Sequence, residues 1–225
     1  MFVFQLIFSI FAFILGAAFG SFAGLIAYRY SRDLSIVKPN SYCPNCKKPI
    51  KPFDNIPIVS WIFLGGKCRN CKSKIGIFSL LLEICGGVGF MSAYLQYGDT
   101  FDGLPIFIAL MILVFQFLVI AAIDYETHYI YNITIIIFAV LSVFIAIYRI
   151  IMFDSAPLLH MIGALFGLAF FGIIKLITKM FLKKEALGSG DVYLVVIAGF
   201  MLGIFQLLIA IMIASVLGSI IEIIK

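Results

Sequence analysis

The chain has 225 residues, of which 64% are hydrophobic and only 12% charged, and its mean hydropathy is +1.17. Soluble proteins are roughly half apolar and about a quarter charged, so this composition excludes a water-soluble globular fold. The net charge of +5 is concentrated: ten of the sixteen Lys and Arg lie between Arg29 and Lys74, against two acids, Asp33 and Asp54. That excess is read as membrane topology, and no nucleic-acid partner is expected.

The expected fold is all-α and polytopic, because helices satisfy their own backbone polar groups in lipid. The first apolar run, Phe2 to Ala27, has no basic residue before Arg29 and is too long for a cleavable signal, so it reads as the first span. The basic stretch that follows is placed in the cytoplasm by the positive-inside rule. Further spans are expected over Ile77 to Tyr97, Leu104 to Ile123, Asn132 to Met152 and Leu158 to Leu182. Two more follow from Asp191, meeting near Gly203, for about seven transmembrane helices in all. The stretch from Asp191 to Leu202 is short for a span and is expected to be tilted or partly re-entrant. The domain reading is a first helix over 1–28, a cysteine module over 29–76 and a transmembrane domain over 77–225.

Inside the module, Cys43-Pro-Asn-Cys46 and Cys68-Arg-Asn-Cys71 are separated by 21 residues. This is close to the spacing of a four-cysteine zinc ribbon, in which two knuckles each give two thiolates to one tetrahedral ion. A segment of this size has too little core to fold alone, and a structural Zn2+ supplies the deficit. Two disulfides or free thiols are the alternative, but a cytoplasmic loop is a reducing environment. Cys85, inside the second span, is expected to be a packing residue.

Ionisable groups in or beside membrane spans are costly and therefore functional candidates. Here they are Glu83, Asp124, Glu126, Glu185, Asp191 and Glu222. Asp124 follows the third span and Asp191 opens the sixth behind Gly188, Ser189 and Gly190. Parity places both at the cytoplasmic face. Two adjacent carboxylates tend to share one proton, leaving one as base for a water and the other as acid toward a carbonyl. Glycine and aspartate are also ordinary turn and cap residues. No H-E-x-x-H, G-x-S-x-G or P-loop pattern is present, and His128 and His160 read as hydrogen-bonded structural residues. Glu83 reads as a buried, hydrogen-bonded or neutral acid in the core.

The order of these features resembles the bacterial type IV prepilin peptidase family, whose members are GxGD-type intramembrane aspartic peptidases. The likeness is carried by Gly20-Ser21-Phe22, Tyr28-Arg29, the paired cysteines enclosing Asn55-Ile56-Pro57 and Ser60-Trp61, and then Glu83. It continues through Asp124 with Glu126 and Thr127 to Glu185-Ala186-Leu187-Gly188-Ser189-Gly190-Asp191. The resemblance implies that Asp124 and Asp191 are the catalytic pair of an inner-membrane enzyme. Its substrates would be type IV prepilin or pseudopilin precursors, whose basic leader is cut after a glycine at the cytoplasmic face. It also implies N-methylation of the new terminus with S-adenosylmethionine. The chain departs from the family pattern at Gly24, at Ile130-Tyr131-Asn132, and in stopping at Lys225 where relatives continue into a further apolar span.

Glu126 and Glu185 are expected to attract leader lysines, with Gly188 and Gly190 allowing close backbone approach beside Asp191. Two rival readings come from other classes. A non-enzymatic membrane scaffold would recruit a partner through its zinc module and tolerate loss of either aspartate. A proton-coupled transporter would need carboxylates near the bilayer midplane, where Glu83 alone is deep enough.

Overall fold

The computed structural model describes every residue except 1, 99, 154, 155, 183–187 and 225. The described chain is helical, with α1 over Phe2–Tyr30, α2 over Val59–Phe63, α3 over Ile77–Tyr97 and α4 over Leu104–Thr127. Then come α5 over Asn132–Phe153, α6 over Pro157–Leu182, α7 over Ser189–Leu202 and α8 over Ile204–Ile224. Among the described residues α1, α3, α4, α5 and α6 are long and apolar enough to cross a bilayer, while α7 and the Ile204–Val216 part of α8 are shorter apolar helices. The protein is a multi-pass membrane protein.

Two helices run past their expected ends. Helix α1 continues to Tyr30, carrying Arg29 in its last turn. Helix α4 continues to Thr127 and closes where His128 turns left-handed (φ 53°), its N–H returning to the Asp124 carbonyl. Asp124 is therefore a helical residue and not the first of a loop. The sequence Asp-Tyr-Glu-Thr is polar enough to leave the hydrocarbon yet keeps the i→i−4 ladder, so the apolar run and the helix end at different residues.

The chain divides into two compact units, one reaching Tyr129 and the other starting at Ile130. In the first, α1, α3 and α4 pack together. Gly16 on α1 and Gly86 on α3 lie backbone to backbone, and a Cβ at either would strike the other's carbonyl. One turn on, Gly20 sits against the Leu82 carbonyl. Small residues at such crossings let helix backbones approach in lipid, where van der Waals contact replaces the hydrophobic drive. Phe19 fills the adjoining space against Phe90 and edge-on to Phe115, with centroids 5.5 and 5.1 Å away.

The packing face of α3 runs through Leu82, Glu83, Gly86, Gly87, Phe90 and Ala93. Cys85 falls outside that stripe and is exposed. It is not the packing residue its position suggested, because helical periodicity turns it toward the outer side.

In the second unit α7 packs on α5 and α6. Gly163 on α6 and Gly199 on α7 repeat the backbone-to-backbone crossing. Buried His160 donates from Nδ1 to the Phe200 carbonyl at 2.8 Å, which is the structural role expected of it. Helix α7 ends at Leu202, and Gly203, at φ 81°, redirects the chain into α8.

Candidate active site and cysteine centre

The two C-x-x-C segments fold as matching knuckles. In the first, Cys43 N–H donates to the Lys48 carbonyl and Lys47 N–H returns to the Cys43 carbonyl, both at 2.9 Å. In the second, Cys68 N–H donates to Ser73 (2.8 Å) and Lys72 N–H returns to Cys68 (3.0 Å). Lys47 and Lys72, each one residue past the second cysteine of its pair, are both left-handed, at φ 59° and 58°. That turn points the two sulfurs of each knuckle the same way. All four sulfurs lie within 4.8 Å of one another, and those of Cys43 and Cys71 are 3.8 Å apart. A tetrahedral ion with bonds of about 2.3 Å to sulfur separates its ligands by about 3.8 Å. The donor set and its size thus fit one metal ion.

The surroundings bias these thiols unequally. The Cys71 thiol is lowered to about 6, first by the Ser73 hydroxyl and then by the Ser73 backbone. Cys43 is lowered chiefly by the Cys46 backbone. Cys46 receives help toward the thiolate from the Lys48 backbone, but lost solvation and the neighbouring thiols Cys71 and Cys43 outweigh it and push it up to about 11. Only a cation shared by all four would bring the set to the thiolate form together.

The module is fastened at several points. Arg69 grips Asp54 with Nε at 2.8 Å from Oδ2 and Nη2 at 2.6 Å from Oδ1. These bonds hold the Asp54 carboxyl below the ordinary range and tie the second knuckle to the 3₁₀ turn Pro52–Asn55. Arg29, buried at the end of α1, donates to the carbonyls of Ser35, Ile36 and Pro39 at 2.9, 3.0 and 2.6 Å. Glu83, two turns into α3, accepts the Ile58 amide at 2.6 Å, and the Ser21 hydroxyl meets the same carboxylate. Ile58 stands at φ 64° and ψ −54°, the centre of a γ-turn closed by the Val59 amide on the Pro57 carbonyl at 2.6 Å, a costly state for a β-branched residue, and its bond to Glu83 holds it there. Ser21, the loop after Pro57 and Glu83, three separate pieces of the sequence pattern, thus meet at one carboxylate. Glu83 is the buried, hydrogen-bonded acid expected. Arg29 is not among the expected site residues, although Tyr28-Arg29 is one of the pieces that carry the family resemblance.

Asp124 sits on the last turns of α4 and is exposed. Around it, Tyr125 stacks on Phe78 of α3 with centroids 4.0 Å apart, and the Thr127 hydroxyl donates to the Ile123 carbonyl at 2.8 Å. Glu126 accepts Arg32 at 2.9 Å, while the Arg32 guanidinium lies 4.0 Å over the Tyr28 ring. Glu126 is therefore held by a cation from the start of the module. A cavity of about 390 Å³ lies between the knuckles and these helix ends, with Tyr28, Cys68, Arg69, Tyr125 and Glu126 in its wall.

Asp191 stands in the first turn of α7, exposed, with Oδ2 accepting the Gly188 amide at 3.1 Å. A carboxylate there satisfies an orphan donor and suits the helix dipole. Gly190 lies against Ile130, whose Cβ would stand 3.2 Å from any side-chain carbon placed on it. Glu185, with Lys183 and Lys184, lies outside the described residues. Neither Asp124 nor Asp191 makes an ion pair with a described residue.

Two family models match the chain: the bacterial peptidase A24 N-terminal domain over residues 14–97 and the type IV leader peptidase family over residues 111–223. A prepilin leader peptidase/N-methyltransferase of Myxococcus xanthus is 31% identical over 219 residues, which is 96% of this chain and 63% of the relative. One from Neisseria gonorrhoeae is 33% identical over 84% of this chain and 63% of the relative. One from Bacillus subtilis is 31% identical over 92% of this chain and 79% of its own length. The chain thus spans just under two thirds of the first two. No solved structure matches it significantly. With both halves of the sequence accounted for by these matches, the chain belongs to the type IV leader peptidase family.

Proposed function

We propose that this protein is a membrane-embedded aspartic endopeptidase. It removes the basic leader of type IV prepilin or pseudopilin precursors after a glycine, at the cytoplasmic face of a bacterial inner membrane. The observation that carries the reading is that Asp124 and Asp191 each stand at a helix end, exposed and unneutralised by any described cation, in a chain of this family. With one proton between them, the ionised carboxylate takes a proton from water as its oxygen attacks the scissile carbonyl carbon. The protonated one hydrogen-bonds and then protonates the carbonyl oxygen. Collapse of the tetrahedral species passes a proton to the leaving amine, and peptide plus water become acid plus amine.

Glu126 and Glu185 draw the leader's lysines. Because Arg32 holds Glu126, a leader cation exchanges with Arg32 and does not enter an empty site. Gly188 keeps the space beside the Asp191 carboxylate free of a side chain, while Gly190 lets α7 close against Ile130. Cys43, Cys46, Cys68 and Cys71 hold a structural zinc ion, the tetrahedral thiolate preference of that metal matching the sulfur spacing. The same protein N-methylates the new terminus. The cavity beside Tyr28 and Tyr125 has the volume and mixed lining of a cofactor site and is where S-adenosylmethionine is held. When bound, that cofactor supplies the methyl group, while the chain's own part is to bind it and exclude water.

The test is cleavage of a type IV prepilin in liposomes by the intact protein, by Asp124→Asn and by Asp191→Asn, with zinc content and thermal unfolding as fold controls. Folded variants should each lose about 10²- to 10⁴-fold in rate, the scale of losing a catalytic acid or base. Full activity in either variant removes the shared-proton mechanism, and absence of cleavage by the intact, folded protein favours the scaffold reading.

A further inference from the structure

Helix α2, Val59–Phe63, is too short to be a span, yet it carries some of the most exposed apolar side chains in the first unit, with Ile62 at 62% and Phe63 at 85% exposure. Its position along the membrane normal is fixed by one bond. The amide of Ile58, which immediately precedes α2, is held by Glu83 at 2.6 Å, and Glu83 is six residues, about 9 Å, along α3 from Ile77. The start of α2 therefore lies beside the first turns of a membrane span and not out in the cytoplasm with the knuckles. On α3 at that level, Ile77, Leu81 and Ile84 are also exposed, as expected of a surface facing acyl chains.

The charge around α2 points to the same occupant. The module holds ten Lys and Arg against Asp33 and Asp54, and Asp54 is already neutralised by Arg69. Near α2 the exposed Phe53 ring is capped by Lys51 and Arg69, with their charged ends 5.6 and 5.4 Å from its centroid. Aromatic and aliphatic side chains below, with cations above, form the arrangement that lies in the headgroup boundary of an anionic bilayer.

We propose that α2 is an interfacial anchor. The segment from Ile56 to Phe63 lies in the plane of the bilayer, with Ile62 and Phe63 seated at the boundary between headgroups and acyl chains, and it holds the cysteine module down against the membrane. The occupant of the exposed face is anionic lipid. This inference is independent of the peptidase reading and would hold for a scaffold as well.

The protein supplies its own probe, because Trp61, inside α2, is its single tryptophan. The full chain is placed in vesicles containing phosphatidylglycerol whose acyl chains are brominated either near the headgroup or near the terminal methyl. Emission is followed for the native protein and for Trp61→Phe combined with Phe63→Trp, which moves the indole to the most exposed position. Upper-chain bromines should quench strongly, terminal bromines several-fold less, and aqueous acrylamide weakly, with the larger contrast for the indole at position 63. Free quenching by acrylamide would place α2 in water. Stronger quenching from the terminal bromines would place it in the hydrocarbon centre, and protection from every quencher would mean that protein covers it. Each of these three results for the indole at position 63 overturns the anchor. The native Trp61 ring lies against Gly66 with its Nε1 buried and serves as the protected reference. If the double variant does not fold, Phe63→Trp with Trp61 retained is read as the emission added to that of the native protein.

Discussion

Glu83 gathers three parts of the chain with a single carboxylate, and its replacements separate hydrogen bonding from charge. Glu83→Gln keeps an oxygen to accept the Ile58 amide, whereas Glu83→Leu leaves that amide without a partner and releases an isoleucine held at positive φ. We expect Glu83→Leu to cost about 1–3 kcal/mol, the desolvation penalty of an orphaned buried donor, and Glu83→Gln distinctly less. Thermal unfolding of both variants in one detergent measures this, and equal losses would show that the bond to Ile58 contributes little. The cysteines were legible at this scale because a metal fixes spacing along the chain. The partners of Glu83, Arg29 and Glu126 were not. Ile58 is 25 residues from Glu83 and Arg32 is 94 from Glu126, and only folding brings them together.

Among the elements, the glycine crossings and the cysteine module make different demands. At Gly86 even a methyl group meets the Gly16 carbonyl, whereas Gly172 on α6 faces open space. Gly86→Ala should destabilise by about 1–3 kcal/mol, as overpacked cores do, while Gly172→Ala leaves stability unchanged or raises it. Similar melting points for the two would remove the crossing from the account. The module depends on its metal: the purified protein should carry one zinc per chain, and a chelator should open residues 33–76 to protease while leaving the spans intact. A metal-free protein with the same cleavage pattern would argue for a loop held by Arg29 and Asp54 alone. The spans were legible from hydropathy to within a few residues. Helix α2 was not, because five residues give no period to read and its fold is imposed by the bond to Glu83. The extra turn of α4 was not legible because hydropathy marks where lipid ends and not where a helix does.

At the level of the whole molecule, composition alone announced a helical membrane protein, and both compact units use the same device of glycines at a backbone crossing. The division of the chain was not legible in advance, since the Tyr129–Ile130 boundary falls within a short loop between two apolar runs. One feature of the second unit reaches beyond the protein to its lipid. Helix α7 has 14 residues, about 21 Å of helix, against a hydrocarbon layer of about 30 Å. Asp191 stands in its first turn, so keeping that carboxylate in water while the apolar remainder stays in lipid favours a locally thin bilayer. On the proposed function, acyl-chain length then becomes a regulator: processing of a prepilin should be faster in vesicles of short-chain lipids than in long-chain ones at equal protein incorporation. A rate indifferent to chain length would mean that α7 is shielded from lipid on all sides. If the dependence holds, the membrane's own composition sets how readily pilin precursors mature.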